Sequence, residues 1–131
     1  MLSQSVVLHI QIIDHLENDT TTSTTLLAQA QSQPRSYHYL EQDGLTQVDL
    51  TQHDHGFSLI RKGAWHTSIQ FNTQGLGTFT VNSDQGELRG EVKLISSRVD
   101  ESLIRLTYQL IMDHSIITHQ TLTVTIRGAQ A

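Results

Sequence analysis

The chain has no cysteine among its 131 residues. Disulfide bonds, thiolate metal sites and cysteine nucleophiles are therefore excluded, and we expect a cytoplasmic protein, because reducing compartments favour chains without disulfides. Long apolar runs are also missing. No window approaches the roughly 20 apolar residues of a membrane helix, and the N-terminus has no basic and apolar leader. Neither membrane insertion nor export is predicted.

Basic residues are few, with eight Lys and Arg against thirteen Asp and Glu, for a net charge of −5. Residues 1–60 carry seven of the acids and a single base, Arg35. Neither half of the chain has the clustered Lys and Arg of a nucleic-acid-binding surface, and an acidic surface repels phosphate backbones. We therefore expect no nucleic-acid partner.

Proline occurs once, at Pro34, whereas threonine is abundant. Threonine suits strands because its β-branched side chain packs well on a pleated surface, and most glycines fall between the candidate strands, where turns need them. No amphipathic helix of ordinary length is visible. The length fits one domain spanning residues 1–131.

Alternation of apolar and polar residues predicts about nine strands joined mostly by short turns. Asp43-Gly44 lies between two alternating runs and predicts a hairpin with a type I′ turn, which needs positive φ at both central residues. In the run 86–99 the inward set contains Gly90, which predicts a bend or a close backbone approach; the set is Leu88, Gly90, Val92, Leu94 and Ser96. The threonine-rich run from Thr20 to Ala30 favours a strand. A polar loop, or a short helix over Leu26–Gln31, is its alternative.

Long strands in chain order favour an all-β fold, a single closed antiparallel up-and-down barrel of about eight to ten strands. Closure removes the exposed edges that such a sheet would present to solvent. A two-layer sandwich is the alternative. The barrel is preferred because three of the last strands exceed about ten residues, which is long for a strand and requires strong coiling.

A short motif, Ile60-Arg61-Lys62-Gly63-Ala64, is followed by the aromatic Phe71 and by a long strand after Gly86. Together with the late strands 104–108 and 122–126, this order resembles the YwiB-like family, a bacterial family with a lipocalin- or calycin-like barrel. The resemblance is best over residues 56–127. It implies the barrel and an interior that holds a cavity, but it brings no assigned activity and no catalytic residues.

The first functional hypothesis is a barrel that binds a small molecule in its interior or at its mouth. Arg61 closes a strand beside a glycine turn, and there it either anchors an anion or carboxylate or hydrogen-bonds the loop carbonyls at the barrel end. Large aromatic residues that point inward would fill the barrel or line a pocket. The candidate ligand-binding residues are Arg61, Trp65, Phe71, Phe79 and Tyr108.

The second hypothesis is a non-catalytic interaction module that acts as a homodimer. It is motivated by surplus apolar residues on the predicted outer faces, which would mark an interface if they were contiguous. These residues are Ile13, Ile95, Leu103, Ile111 and Ile116.

The third hypothesis is an enzyme that uses a histidine and a carboxylate as acid and base. It ranks last because no nucleophile elbow, phosphate loop or dinucleotide fingerprint occurs, so no catalytic residue and no cofactor are assigned. His53 and His55 would share a strand face and reach one metal ion. No third ligand lies at a defined spacing from them, so no metal site is predicted.

Overall fold

The computed structural model describes residues 3–128 and is all-β in that range. Its ten strands are β1 Gln4–Asp14, β2 Thr20–Ser32, β3 Arg35–Leu40, β4 Gln47–His53, β5 Gly56–Lys62, β6 His66–Asn72, β7 Gly77–Ser83, β8 Gly86–Asp100, β9 Leu103–Met112 and β10 Ser115–Gly128. No helix long and apolar enough to cross a membrane occurs in the part of the chain that the structure describes.

Each strand pairs antiparallel with the next strand in the chain, and β1 pairs with β10 to close the sheet. The predicted closed up-and-down barrel is confirmed, and the sandwich is excluded. The threonine-rich run forms β2 over its whole length, so the loop and the short helix that were its alternatives are wrong. Pairing with β1 along eleven residues, from Gln4↔Ala30 to Asp14↔Thr20, holds this run extended.

Because the topology is up-and-down, alternate turns meet at the same end of the barrel. We call the end with the β1–β2, β3–β4 and β5–β6 turns the mouth, and the opposite end the base. Inward side chains form one core, and toward the base it is filled by large aromatic side chains: Tyr37, Phe57, Phe71 and Phe79 are all buried. These four aromatic side chains therefore pack the core toward the base.

The connection between β3 and β4 is a hairpin, as predicted, but its turn is not type I′. Gly44 has a φ of +70°, whereas Asp43 is not among the residues with positive φ. The turn extends over residues 41–46, because the Asp43 carboxylate accepts hydrogen bonds from the backbone N–H groups of Leu45 and Thr46 at 2.8 and 2.9 Å. A carboxylate that captures the next backbone donors favours this wider loop over the tight two-residue turn.

The inward set predicted for β8 is right only in part. Val92 is fully buried, and Gly90 makes the close approach that was predicted, against Phe79 and the Ile111 carbonyl. A bulge between Leu94 and Ser96 then shifts the register, so that Ser97 rather than Ser96 pairs with the buried Leu106. The extra residue of a bulge reverses the faces of everything that follows it.

Candidate functional site

The mouth half of the barrel is hollow. A cavity of about 520 Å³ lies inside it, within the range of about 300–1,000 Å³ that is typical of small-molecule sites. Its wall consists mainly of inward apolar side chains from β1, β2, β4, β5, β6 and β10, among them Ile10, Leu26, Leu50, Leu59, Ile69 and Leu122.

Arg61, near the C-terminal end of β5, lines this cavity at the mouth. Its Nε and Nη2 donate hydrogen bonds of 2.7 and 2.6 Å to the two carboxylate oxygens of Glu41. This bidentate bond raises the pKa of Arg61, so the guanidinium stays charged. The partner of Arg61 is thus a carboxylate on the β3–β4 loop, and not the loop carbonyls that one alternative expected.

Two further polar groups flank this pair. Asp43 also lines the cavity, and its hydrogen bonds from Thr46 and Leu45 lower the pKa of its carboxyl to about 2. Tyr39 lines the wall beside Glu41, and burial raises the pKa of its phenol well above the usual value. At neutral pH the mouth therefore presents two carboxylates, one guanidinium and a neutral phenol.

Tyr108, on β9, lies deeper in the wall. Its hydroxyl donates a hydrogen bond of 2.9 Å to Gln120 Oε1 on β10, and burial, with the nearby charge of Asp14, raises the pKa of Tyr108 to about 12. The ring of Phe71 packs edge-on against Tyr108 from the base side, with 4.8 Å between ring centroids. Tyr108 and Gln120 thus form an uncharged polar pair in the deeper, mainly apolar part of the wall.

The structure separates the five residues that the sequence singled out. Arg61 and Tyr108 both line the cavity. Phe71 supports Tyr108, and Phe79 is buried on Gly90 toward the base. Trp65 lies in the β5–β6 turn and is 61% exposed, because β6 begins one residue later, at His66. Trp65 does not share the inward face of Ile69 and Phe71 as the alternation predicted.

Sequence reasoning did not select Glu41, Asp43 or Gln120 as site residues. The sequence did contain a signal that Tyr39, Val48 and Arg61 are neighbours. Hairpins centred on Asp43-Gly44 and on Asp54-His55 place Tyr39 opposite Val48 and Val48 opposite Arg61, which is the register observed. The reach of Glu41 to Arg61 depends on loop geometry and has no such signal.

On the outer face of β3 and β4, a histidine joins a hydroxyl to a carboxylate. His38 Nδ1 lies 2.6 Å from Asp49 Oδ1, and His38 Nε2 lies 3.1 Å from Ser36 Oγ. Ser36 is only 3% exposed, which closes its hydroxyl to a substrate. The order of groups is that of a nucleophile, base and orienting acid, but the buried Ser36 makes it a structural link between strands.

A similar link ties the β1–β2 turn to β10. His15 Nδ1 lies 2.7 Å from Asp19 Oδ1, His15 Nε2 lies 2.8 Å from Thr121 Oγ1, and the His15 and His119 rings are 4.7 Å apart. Residues 3–128 contain no cluster of three His, Cys, Asp or Glu side chains that would hold a metal ion. His53, weighed above as a metal ligand, contacts Ser58 Oγ at 3.0 Å instead.

The apolar outer residues that motivated a homodimer are not all neighbours. Ile111 pairs with Ile116 beside the β9–β10 turn, whereas Leu103 begins β9 at the opposite end of the barrel. Ile95 forms the β8 bulge. These residues do not form one continuous patch.

Among solved structures, the fold matches the crystal structure of the ywiB protein from Bacillus subtilis. The TM-score is 0.76, the sequence identity is 16%, and the match covers 98% of this chain and 94% of that chain. The two barrels share a fold. No protein-family model matches the sequence, and no curated protein matches it either.

Proposed function

We infer that this barrel binds a small molecule with an apolar body and an uncharged or cationic polar head. The observation that carries this inference is the 520 Å³ cavity in the mouth half of the barrel, with its apolar wall and polar rim. Apolar pockets with a few convergent polar groups are the usual form of small-molecule sites. The charged side chains of the cavity lining, Glu41, Asp43 and Arg61, lie at the mouth, which supports a polar head group at that end.

The charge of the rim supports the choice of head group. The single guanidinium of Arg61 is already held by Glu41 through two hydrogen bonds, and Asp43 adds a second carboxylate. An incoming anion would have to displace Glu41 and face a net negative rim, and like charges at close range oppose binding. A hydroxyl or ammonium head has the carboxylates and the Tyr39 oxygen as acceptors.

A matched series of ligands tests this proposal by calorimetry at pH 7: octylamine, octanol and octanoate, which share one apolar chain. The amine and the alcohol should bind with one molecule per barrel, and octanoate should bind at least about tenfold more weakly, a difference of ~1.4 kcal/mol. If none of the three binds, or if octanoate binds most tightly, the proposal is wrong.

Membership of the YwiB-like family is part of the same proposal. It is supported by the shared fold over almost the whole of both chains and by Arg61, Gly63 and Ala64 at the strand end that carries the resemblance. A lipocalin- or calycin-like role, a bacterial cytoplasmic setting and a single domain over residues 1–131 belong to this proposal too.

A histidine and carboxylate enzyme is the weaker candidate. Its two histidine–carboxylate pairs, His38 with Asp49 and His15 with Asp19, lie outside the cavity lining. The ligand-binding proposal is preferred because it uses the cavity itself.

A further inference from the structure

The ladder between β2 and β3 is short. Only Gln29–Ser32 of β2 pair with β3, opposite Arg35–His38, although β2 continues for nine more residues along β1. Over residues 3–128, the stretch Thr20–Ala28 therefore has no ladder partner on its β3 side. We call this stretch the β2 edge.

A second long strand stretch also lacks a ladder partner on one side, but it carries charges and a bulge that the β2 edge lacks. β8 pairs with β7 only as far as Val92, so Lys93–Asp100 is free on that side among the described residues. It contains the charged residues Lys93, Arg98 and Asp100 and a bulge beside Ile95. Charges and bulges are the devices by which proteins keep free strand edges from pairing with other chains.

The β2 edge has none of these devices. β2 contains no charged residue and no proline, and it is rich in threonine, which favours strand pairing. The register between β2 and β1 is unbroken along this edge, so it carries no bulge toward β1. A bare, uncharged edge without a bulge favours the addition of another strand.

A groove with a mixed apolar and polar lining lies beside this edge on the outer surface, where β2 and β3 separate. Its apolar residues include Leu26, Leu27, Ala28 and Leu40, and its polar residues include Gln29, His38 and Asp49. Leu27 is 68% exposed and Leu40 is 50% exposed. A strand added to β2 would cover part of this surface.

We propose that a second copy of this chain pairs antiparallel with the β2 edge, so that the two β2 strands meet about a twofold axis near Thr24. A twofold contact presents the same strand from both copies, and an uncharged strand does so without placing like charges opposite each other. This matters for a chain whose net charge is −5. The dimer goes beyond the ligand-binding proposal and does not require a ligand.

Thr24 and Leu26 belong both to the β2 edge and to the cavity lining. The strand of the second copy thus borders the mouth of the first, and each barrel gains a wall where its own sheet is open. Because the twofold axis of an antiparallel strand pair is perpendicular to the sheet, the two cavities lie on the same face of the continuous sheet.

Sedimentation velocity of the ligand-free protein tests the dimer. The chain should sediment with twice its mass of 14.7 kDa, and Thr22→Lys/Ser23→Lys, at two exposed positions on β2, should convert it to monomer. The matched control is Ser96→Lys/Ser97→Lys, at two exposed serines of β8, which should remain dimeric. A chain that is monomeric at about 1 mM, a concentration far above the Kd of a specific dimer, overturns the proposal. The β2 edge would then either remain unpaired or bind a peptide of another protein.

Cross-linking gives a second, independent test, because the chain has no cysteine of its own. Residues that lie directly opposite each other at the twofold axis have Cα atoms about 4.5–5.5 Å apart, which is within the range that a disulfide spans. Single variants Thr22→Cys, Ser23→Cys and Thr24→Cys should include at least one that forms a covalent dimer on mild oxidation, and Ser96→Cys should not. Equal cross-linking at β2 and β8 overturns the assignment to β2, as does a dimer that survives the β2 lysines.

Discussion

The ring of Phe79 lies directly over Gly90, its cross-strand partner on β8. A Cβ built on Gly90 would stand 2.4 Å from Phe79 Cε1 and 2.3 Å from the Ile111 carbonyl oxygen. Phe79 is buried and the carbonyl belongs to the backbone, so neither moves away easily. Gly90→Ala should therefore lower the free energy of unfolding by about 1–3 kcal/mol, the usual cost of overpacking a core, as measured by urea denaturation.

The control for this variant is Gly75→Ala. A Cβ at Gly75 would meet only Asn72 Nδ2, at 4.0 Å, so this substitution should change stability by no more than about 0.5 kcal/mol. Equal stability of the two alanine variants would contradict the close packing of Phe79 on Gly90.

Glu41 sets the charge of the barrel mouth through its bond to Arg61. Glu41→Gln removes one carboxylate and leaves the guanidinium without a charged partner, so the affinity for octanoate should rise by about tenfold, or ~1.4 kcal/mol. Calorimetry measures the change. Glu91→Gln makes the same charge change at an exposed residue of β8 and should leave octanoate binding as it was. A rise of the same size in both variants would show that overall charge, and not the mouth, controls the affinity.

Acid should loosen the β3–β4 loop through Asp43. Hydrogen bonds from Thr46 and Leu45 lower the pKa of Asp43 from 3.8 to about 2, so the folded state favours its ionised form. This contribution to stability is present above pH 4 and is lost as the pH falls toward 2. Melting temperatures measured from pH 5 to pH 2 should fall less steeply for Asp43→Asn than for the parent chain. Parallel curves would contradict the role of the Asp43 carboxylate.

Alkali should act on the cavity wall through Tyr108. Burial raises the pKa of Tyr108 from 10.0 to about 12, so the folded state favours the neutral phenol. Its contribution to stability is complete below pH 10 and is lost as the pH rises toward 12. Urea unfolding between pH 9 and pH 12 should show a smaller loss of stability in Tyr108→Phe than in the parent. An unchanged slope would contradict the burial of this phenol.

The fold was readable from the sequence because most of its signals are local. Alternation located the strands, and Asp43-Gly44 centred the β3–β4 hairpin so that Leu40 falls opposite Gln47, even though the turn is longer than type I′. The bulge beside Ile95 was missed because nothing in the local alternation marks it. Its position depends on how β8 must bend to follow β9.

The site was readable only in part. Arg61 and Tyr108 stand at positions that alternation assigns to the inward face, and both line the cavity. Alternation does not show whether the interior is filled or hollow. That outcome depends on the combined volume of side chains from strands far apart in the chain, with large aromatics at the base and smaller aliphatics at the mouth. Trp65 was misplaced because the boundary of β6 decides its direction.

The central claim is that the mouth half of the barrel holds an apolar molecule. It is tested most directly by titration with N-phenyl-1-naphthylamine, a neutral fluorophore, on two neighbouring variants. Leu59→Trp adds bulk to the cavity wall, whereas Ile60→Trp adds it on the outer face, opposite Asp49; thermal unfolding checks that both variants fold. The account predicts that the parent and Ile60→Trp bind one fluorophore per barrel, and that Leu59→Trp binds at least about tenfold more weakly. Equal binding by the two variants, or no binding by the parent chain, would contradict it.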